Sequence, residues 1–526
     1  MESWDVVIIG GGIAALRSAI AAADANASVV IIDASAVSAS SGASSTTGIA
    51  TSMGEVDTRA HIFDTTNASE ELSNESIVQS RCSSAFDHLV ELERWGLLYR
   101  RNSNGAPHLS TAPGHTESRL SGCGDVTERQ IIRLLEEQCM KRNIPRKSDI
   151  LAVRLVIEND QIRGLVVLDV QTGAVAPIQA KSIILATDGH RGLWSGVSDG
   201  CGTGSVLALD VGISLTGMEF TTWHPLCVAD IDIVLPLELL DAGACIRTAT
   251  GEPVDLNGIG LTTLSRLLTE QNYILDARNV HRGIRPWFQQ VADRLLSRAD
   301  LDIWSSVIPL QSRPMFTLGG APIDGHGRVL FGSRDVWMTG LYAAGASSSS
   351  GLHGAESLAG NILLDHLAGG SCAGNHAGKW VSSNRLGGEL LLESCADDMA
   401  DRLDQMLNDD TDGVTVGAIE SSLCRTMEQH AGLSRNGDGL KSALNNITEL
   451  AERPARLTDS SPVMNTEMVR SIQLEGMLML ARATLGAAIA RRESRGAHRR
   501  SDHPDKGEDA HHYLIDAAGS IIEMPC

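Results

Sequence analysis

A glycine triplet near the start of the chain, Gly10 to Gly12, is followed by Asp33, 21 residues after Gly12. Glycines at this spacing, with Ala15 in the last place of the pattern, allow a tight turn, a close approach of the backbone to a pyrophosphate and close packing of the next helix. That helix would direct its positive dipole end at the phosphates, and Asp33 would accept hydrogen bonds from a ribose. The pattern predicts dinucleotide binding but does not distinguish FAD from NAD. The alternative interpretation is a glycine-rich turn in an ordinary βαβ unit.

The hydrophobic pattern predicts the elements that position these residues. Buried parallel strands are expected for DVVIIG, SVVIID and SIILAT, and a helix for the alanine-rich IAALRSAIAAADA. A hairpin is expected for AVRLVIENDQIRGLVVLDV, and a glycine turn into a helix for GTGSVLALDVG. The stretch VTERQIIRLLEEQCMKRN predicts a helix with Thr127 as its N-cap.

The alternation of strands and helices changes along the chain. It fades from about Met218 to Gly320, which predicts an inserted domain, and returns in GLYAAGASSSSGLHGAESLAGNILLDHLAGG. From about Leu390 the chain is helical and charged, and MVRSIQLEGMLMLARATLGAAIARRESRG predicts a long amphipathic helix. The Ser/Thr/Gly stretch 38–54 is predicted to be a loop that passes over the nucleotide. The alternative interpretation of this stretch is a flexible linker.

The formal net charge of −22 and the pI near 5.1 exclude a general nucleic-acid role and disfavour docking on anionic lipid. Ten scattered cysteines form no CxxC pair, so no iron–sulfur or zinc site, and no other metal site, is expected on this chain. Met1 leads almost directly into a strand, leaving no room for a signal peptide, and no apolar run reaches the ~18 residues of a membrane span. A soluble cytoplasmic protein is expected.

The motifs together resemble those of a known flavoprotein family over nearly the whole length. They are VVIIGGGIAAL, GIA at 48–50, GHTESR, SIILAT, TGS, MEFTTWHP, FTLGGAPID, GLYAAG, GLHGAESLAGNILLDHL and RRESRGAHRRSDHP. With these motifs the chain resembles the flavoproteins of the succinate dehydrogenase, fumarate reductase and L-aspartate oxidase family. The long tail after RRESRGAHRRSDHP is more typical of the succinate dehydrogenase branch.

The resemblance implies FAD as the dinucleotide and an α/β fold. In that fold a Rossmann-like FAD-binding domain is split in sequence (1–217 and 321–385), with an inserted α+β capping domain (218–320) and a C-terminal helical domain with a tail (386–526). It implies hydride transfer between a small dicarboxylate-like substrate and flavin N5. Electrons would pass to a separate iron–sulfur subunit, and the protein would sit in the cytoplasm or peripherally on the inner face of the membrane through that complex.

The cofactor positions follow partly from the glycine pattern and otherwise from the resemblance. Covalent members of the family carry a histidine where Ser41 stands, so non-covalent FAD is expected. Asp188 replaces a glycine beside the cofactor, and Ala346 replaces a glutamate that contacts the ribityl chain. The candidate cofactor-binding residues are Gly10, Gly11, Gly12, Ile13, Ala14, Ala15, Asp33, Ala34, Ser40, Ser41, Gly42, Thr46, Thr47, Gly48, Val153, Ala186, Thr187, Asp188, Gly189, Ser205, Gly345, Ala346, Ile362 and Leu363.

The substrate positions match the family only in part. His224 corresponds to the family's His-Pro histidine that contacts substrate; the alternative is a histidine capping a turn before Pro225. Arg266 is a weak match to the acid/base arginine, and Asp241 to the acidic substrate contact. Arg247 lies near the missing Arg-Gly-Glu-Gly segment.

The expected carboxylate anchors are replaced. Met315 and Phe316 stand where the family usually has His-Tyr, and Glu356 and Ser357 stand where it has Asn-Arg. A glutamate would repel a carboxylate, so other cations would be needed. The candidates are Arg247, Arg282, Arg285 and Arg313.

Three functions follow from these matches and departures. The first is an FAD-dependent enzyme of the succinate dehydrogenase/fumarate reductase type with a divergent substrate site. The second is an L-aspartate oxidase-like enzyme, which Ser41 favours and the long tail disfavours. The third is a non-catalytic FAD-binding homologue, which Met315, Glu356 and Ser357 favour and His224 disfavours.

Overall fold

The computed structural model describes residues 1–35, 47–196, 200–331, 336–409 and 413–526. The strands are β1 (Glu2–Ile9), β2 (Val29–Asp33), β3 (Ile49–Ala50), β4 (Leu120–Ser121), β5 (Arg146–Ser148), β6 (Ile150–Glu158), β7 (Gln161–Asp169), β8 (Val175–Leu185), β9 (Leu215–Thr216), β10 (Thr221–Val228), β11 (Cys245–Thr248), β12 (Tyr273–Asp276), β13 (Val307–Thr317), β14 (Ala321–Pro322), β15 (Arg328–Phe331), β16 (Val336–Ala343), β17 (Ser348–Ser349), β18 (Val414–Thr415), β19 (Ala455–Arg456), β20 (His511–Ile515) and β21 (Ile521–Pro525). The helices are α1 (Ile13–Asp24), α2 (Glu55–Ser69), α3 (Glu75–Trp95), α4 (Thr127–Lys141), α5 (Gly192–Ser195), α6 (Thr203–Asp210), α7 (Glu238–Asp241), α8 (Leu261–Leu267), α9 (Gln289–Ala299), α10 (Asn361–Val381), α11 (Leu390–Leu407), α12 (Val416–His430), α13 (Gly437–Ala451) and α14 (Thr466–Ala490).

The central sheet has the strand order β15-β16-β7-β8-β1-β2-β5, with β6 paired to β7 and β16 also paired to β8. Its strands β16, β8, β1, β2 and β5 are parallel to one another. The apolar runs of β1 and β2 are buried, as expected for parallel strands covered on both faces. The three predicted parallel strands and the predicted hairpin, which is β6 with β7, are therefore confirmed.

Helix α10 packs against α1 along a series of glycines. A Cβ atom added at Gly374 would lie 2.1 Å from the carbonyl oxygen of Ser18, and one at Gly378 would lie 2.8 Å from that of Ala22. Side chains at these positions would push the two helices apart, so the absence of side chains allows their backbones to touch. The second half of the FAD-binding fold is thus fixed directly to the helix that follows the glycine triplet.

A smaller antiparallel sheet lies between the two halves of the FAD-binding fold in sequence. Its order is β10-β13-β12-β11, and helices α7, α8 and α9 belong to the same stretch of chain. Leucine, isoleucine and valine side chains of this stretch form a separate apolar core. These elements fall within 218–320, which we propose as the capping domain.

The chain after residue 386 adds helices α11 to α14 and a terminal hairpin. The hairpin β20–β21 pairs with β9, so it joins the C-terminal part to the first part of the FAD-binding fold. The predicted long helix ends at Ala490 rather than continuing through the following RRESRG, because Arg491 and Arg495 of that segment turn inward and are buried. Thr127 is the first residue of α4 rather than its N-cap; its hydroxyl donates to the carbonyl oxygen of Gly124.

Within the described ranges, α14 is long and apolar enough to cross a membrane by length and composition alone. The expectation from the sequence concerned uninterrupted apolar runs, and α14 contains the charged residues Glu475 and Arg482 within its apolar stretch. Most of its apolar stretch is buried inside the protein, as in the core helices of soluble proteins.

Candidate active site

A cavity of about 760 Å³ lies at the carboxyl ends of β1, β2 and β8, where open α/β sheets bind ligands. It has the volume of a small-molecule or cofactor site. Fourteen of the predicted cofactor-binding residues line it: Gly10, Gly11, Gly12, Ile13, Ala14, Asp33, Ala34, Ala186, Thr187, Asp188, Gly189, Ala346, Ile362 and Leu363.

The glycine triplet has the geometry that the sequence pattern predicts. Gly10 has a φ of +122°, and a Cβ there would lie 2.2 Å from the carbonyl oxygen of Ala186. A Cβ on Gly12, by contrast, would meet nothing within 4 Å, so its backbone faces open cavity. No side chain caps the amino-terminal end of α1, which leaves its first N–H groups to a ligand. These features fit the pyrophosphate of a dinucleotide.

Asp33 lies at the end of β2 and lines the cavity, but both of its carboxylate oxygens already accept hydrogen bonds. Oδ1 accepts from the backbone N–H and hydroxyl of Ser35, and Oδ2 accepts from Arg146 at 2.7 Å. Each oxygen has a second lone pair, so a ribose hydroxyl could still donate to it. Arg146 fixes the orientation of the carboxylate.

Some predicted cofactor residues do not line the cavity. Val153 lies beside a β-bulge in β6 and packs toward α11, whereas its neighbours Leu151 and Ala152 face the cavity. Ala15 and Gly345 lie behind the cavity lining; a Cβ on Gly345 would come within 2.8 Å of the Cβ of Ala14.

Ser205 and Gly48 are also absent from this lining, and Thr47 lines a second, smaller cavity. A Cβ on Gly48 would lie 2.7 Å from the carbonyl oxygen of Ser121, so this glycine serves close packing. Ser205 is fully buried near the start of α6. The predicted residues Ser40, Ser41, Gly42 and Thr46 lie outside the described residues.

The sequence patterns missed other residues of the large cavity, among them Glu128, Arg191, Thr203 and His366. Thr203 is the first residue of α6, two residues before the predicted Ser205, and was not itself predicted. Burial lowers the pKa of His366 to about 4, so a neutral imidazole lines the cavity at physiological pH. Neither Arg191 nor His366 belongs to a local pattern that marks a cofactor contact.

The smaller cavity surrounds His224 at the boundary between the capping sheet and the FAD-binding fold. Its volume is about 20 Å³, and Met315, Phe316, Ile362 and Leu363 line both it and the large cavity. His224 is buried on β10, and its Nδ1 accepts a hydrogen bond from the backbone N–H of Leu226 at 3.2 Å. His224 thus lies beside the cofactor cavity, while the hydrogen bond from Leu226 is the contact expected of the alternative, a histidine that caps the turn around Pro225.

The other predicted catalytic residues do not line this cavity. Arg266 lies on the exposed face of α8, because the opposite face packs through Ser265 against the backbone of Trp223. Asp241 instead accepts hydrogen bonds from His108, at 2.9 Å, and from Thr111.

The four arginines proposed as replacement cations do not line this cavity either. Arg247 pairs with Asp276 at 3.2 Å. Arg313 is the cross-strand neighbour of His224, yet its guanidinium lies 3.7 Å from the exposed Asp232. Arg282 is exposed, and Arg285 stacks on Trp304.

The two residues that replace the family's Asn-Arg connect the FAD-binding fold to the capping domain. Glu356 Oε1 accepts a hydrogen bond of 2.7 Å from the backbone N–H of Thr262, at the start of α8. Ser357 Oγ lies 3.0 Å from Thr222 Oγ1 on β10. Both are buried, so these side chains hold the two parts together.

Glu238, at the start of α7, is a buried acid that sequence reasoning did not single out. Its neighbour Leu237 lines the small cavity, and a Cβ on Gly48 would come within 2.9 Å of Glu238 Oε1. Neither carboxyl oxygen has a hydrogen-bond partner among the described residues. Burial raises the pKa of Glu238 to about 8, with a smaller contribution from the negative charge of Asp241. Its only signal in the sequence was its position three residues before Asp241.

Replacing Glu238 by glutamine is expected to change how stability depends on pH. The carboxyl stays protonated in the folded protein up to about pH 8 but ionises near pH 4.5 when unfolded. This group therefore lowers the free energy of unfolding by about 1.4 kcal/mol for each pH unit between those values. Glu238→Gln should be more stable than wild type at pH 8, and the difference should shrink toward pH 5. Urea titrations at several pH values measure this.

The matched control is Glu270→Gln, at an exposed position of the same part of the chain. It should leave the pH dependence unchanged. A stability difference between Glu238→Gln and wild type that stays constant from pH 5 to pH 8 would contradict the buried, protonated carboxyl.

Comparisons with known proteins match the whole chain. The family model described as "FAD binding domain" matches residues 5–363, and "Fumarate reductase flavoprotein C-term" matches residues 420–519. The succinate dehydrogenase flavoprotein subunit of Rickettsia felis is 27% identical, covering 99% of this chain and 94% of the relative. The 8-methylmenaquinol:fumarate reductase flavoprotein subunit of Wolinella succinogenes is 26% identical, covering 96% and 86%. The fold matches that of E. coli quinol fumarate reductase with a TM-score of 0.92 at 24% identity, over 100% of this chain and 97% of that one.

Proposed function

The chain belongs to the flavoprotein family of succinate dehydrogenases and fumarate reductases and is an FAD-dependent oxidoreductase, and we propose that it exchanges a hydride with its substrate in the cavity around His224. The observation that carries this proposal is the shared wall of the two cavities. Four residues, Met315, Phe316, Ile362 and Leu363, line both the cofactor cavity and the small cavity. A substrate beside His224 would therefore lie against the cofactor.

The chain's own residues supply binding, orientation and exclusion of water, while FAD, when bound, supplies the hydride chemistry. Gly10, Gly12 and the start of α1 would hold the pyrophosphate, and Asp33 a ribose. The apolar side chains around His224 exclude water from the substrate. The imidazole of His224, oriented by the N–H of Leu226, would hydrogen-bond a substrate oxygen.

The names of the relatives point to succinate and fumarate as reference substrates. For this chain a dicarboxylate-like substrate remains a proposal, supported by the match at His224. The positions that would bind carboxylates are occupied by Met315, Phe316, Glu356 and Ser357. The test of function therefore uses substrates with and without carboxylates.

Anaerobic mixing of the flavin-loaded protein with succinate, L-aspartate or dimethyl succinate tests hydride transfer. Bleaching of the flavin absorbance by any of them is expected. His224→Gln should slow that bleaching about ten- to a hundredfold, because one hydrogen bond to the substrate is lost, with the flavin content unchanged. His281→Gln, at an exposed position, is the control. Bleaching by L-aspartate alone would favour the L-aspartate oxidase-like alternative.

A second candidate is a non-catalytic FAD-binding homologue, favoured by the 20 Å³ volume of the small cavity. That volume is smaller than any substrate named above. A flavin that dithionite bleaches, but that none of the three compounds reduces, would support this candidate and contradict the hydride-transfer proposal.

We also propose that electrons leave through a separate iron–sulfur subunit. Several relatives are named as flavoprotein subunits, and no group of three potential metal ligands occurs in the parts of the chain that the structure describes. The protein would then lie in the cytoplasm, peripherally on the inner face of the membrane through its complex. Co-purification of a flavin-reducible iron–sulfur protein with the tagged chain would support this.

A further inference from the structure

We propose that a cleft between helix α4 of the FAD-binding fold and helix α9 of the proposed capping domain binds an organic phosphate that carries a planar ring. The cleft has a volume of about 1000 Å³, a size typical of small-molecule sites. Arg129 and Arg133 of α4 line one side of it, and Trp287, which lies just before α9, lines another. None of the described residues around His224 lines the cleft, so the site is separate from the cavity proposed for hydride transfer.

The two arginines of α4 supply positive charge on one wall of the cleft. They are four residues apart, so they lie on the same face of the helix with their Cβ atoms about 6 Å apart. Both residues are exposed, and within the described part of the chain neither forms a hydrogen bond or an ion pair. Guanidinium groups bind phosphate oxygens through paired N–H donors, so two of them on one face suit a phosphate dianion.

Three acidic residues also line the cleft, and each is engaged by a neighbour. Asp125 is buried, and its Oδ2 accepts a hydrogen bond of 2.7 Å from a backbone N–H in the first turn of α9. Glu137 pairs with Lys141 at 2.6 Å. Asp293 accepts a hydrogen bond of 2.6 Å from the side-chain amide of Gln289. These contacts hold the carboxylates in place and leave the two arginines of α4 to a ligand.

The charge balance of the cleft is positive, although the formal net charge of the protein is −22. Arg294 of α9 is the third arginine in the lining. Since Lys141 offsets Glu137, three guanidinium groups face the two carboxylates that remain. This balance favours an anionic ligand. Arg294 also lines the cofactor cavity, so an anion in the cleft would lie beside that cavity without entering it.

Trp287 supplies a planar apolar surface for a ring. It is half-buried and packs against the apolar cores of both the FAD-binding fold and the capping domain. Its backbone touches the other wall, because a Cβ on Gly124 would lie 1.9 Å from the carbonyl oxygen of Trp287. Leu98, which is 80% exposed, adds apolar surface to the lining. A ring in the cleft would therefore stack on an indole that packing already holds in position.

Three related compounds test this with the full chain and its bound FAD. AMP has both a ring and a phosphate, whereas adenosine lacks the phosphate and ribose 5-phosphate lacks the ring. Isothermal titration calorimetry should show AMP binding at least about tenfold more tightly than either of the other two. The flavin absorbance of the protein should stay constant during the titration. Release of flavin by AMP would place AMP in the cofactor cavity and overturn the inference.

Variants of the two walls locate the binding. Arg129→Met combined with Arg133→Met should weaken AMP binding at least about tenfold, because both guanidinium contacts are lost. The matched control, Arg425→Met with Arg453→Met, removes the same charge at exposed positions outside the cleft and should bind AMP as the wild type does. Trp287→Leu should lower the affinity for AMP to that for ribose 5-phosphate. Melting temperature and flavin content show whether each variant is folded.

Four results would count against the inference. Equal weakening by the two arginine pairs would show an effect of net charge alone. Equal affinities for AMP and adenosine would contradict the contacts to Arg129 and Arg133, and equal affinities for AMP and ribose 5-phosphate would contradict stacking on Trp287. Absence of AMP binding to the flavin-loaded wild type would overturn the site outright. The hydride-transfer proposal is unaffected by any of these, because it is read from bleaching of the flavin. If Trp287→Leu does not fold, the arginine variants and the three titrations of the wild type decide.

Discussion

Gly12→Asp is expected to yield a folded protein that purifies almost without flavin. The Cβ of residue 12 would enter open cavity, with no atom within 4 Å, so the substitution should not disturb the fold. The new carboxylate would face the pyrophosphate. Two unit charges about 4 Å apart repel each other by about 4 kcal/mol in partly buried surroundings, roughly a thousandfold in affinity. The ratio of flavin to protein absorbance after purification, and a titration with added FAD, measure the loss.

Gly417→Asp is the matched control for this substitution. Residue 417 lies in the first turn of α12, where an added Cβ also meets nothing within 4 Å, and it lies outside the cofactor cavity. That variant should retain its flavin. Full flavin content in Gly12→Asp would show that the pyrophosphate does not lie against α1, and the assignment of the cavity would then be wrong.

Arg491→Met is expected to cause the largest loss of stability. Arg491 and Glu219 form an ion pair of 2.8 Å with side chains 1% and 0% exposed, and Arg491 also pairs with Glu493. Removing the arginine leaves the Glu219 carboxylate buried without its partner. The loss of a buried partner typically costs about 3–5 kcal/mol. Chemical denaturation followed by circular dichroism should show the transition at a lower denaturant concentration.

The double variant Arg491→Met with Glu219→Gln should recover part of the loss, because no unpaired charge is left at residue 219. The control is Lys141→Met, which breaks the exposed pair with Glu137 and should change stability by less than about 1 kcal/mol. Equal effects of Arg491→Met and Lys141→Met would show that the buried pair contributes nothing beyond a surface pair.

The nucleotide-binding part of the fold could be predicted because its signal is local. The turn, α1 and the two flanking strands follow one another within the first 33 residues, and each is determined by short-range sterics and hydrophobic spacing. The burial and pairing of these elements agree with that prediction. The partner of Asp33 could not be predicted in this way, because Arg146 comes from a strand 113 residues away.

The residues of the substrate site could be predicted much less completely than those of the nucleotide-binding part. His224 was found from its flanking residues, whereas Arg266 was assigned to a site that its helix does not face. Which face of a seven-residue helix is buried depends on tertiary packing, and the sequence of α8 carries too few turns to decide it. Glu238 was missed because it is packed against Gly48, from another part of the chain.

The contact between α1 and α10 also determines when the protein can acquire its cofactor during synthesis. The two helices are separated by more than 300 residues, so α1 leaves the ribosome long before α10 exists. At ordinary translation rates this interval is roughly 20–70 s. During that time the face of α1 that later contacts the glycines of α10 is exposed to solvent, and the cofactor cavity lacks the support of α10. We therefore expect flavin capture to follow the synthesis of α10, and the exposed apolar face of α1 to be open to aggregation until then.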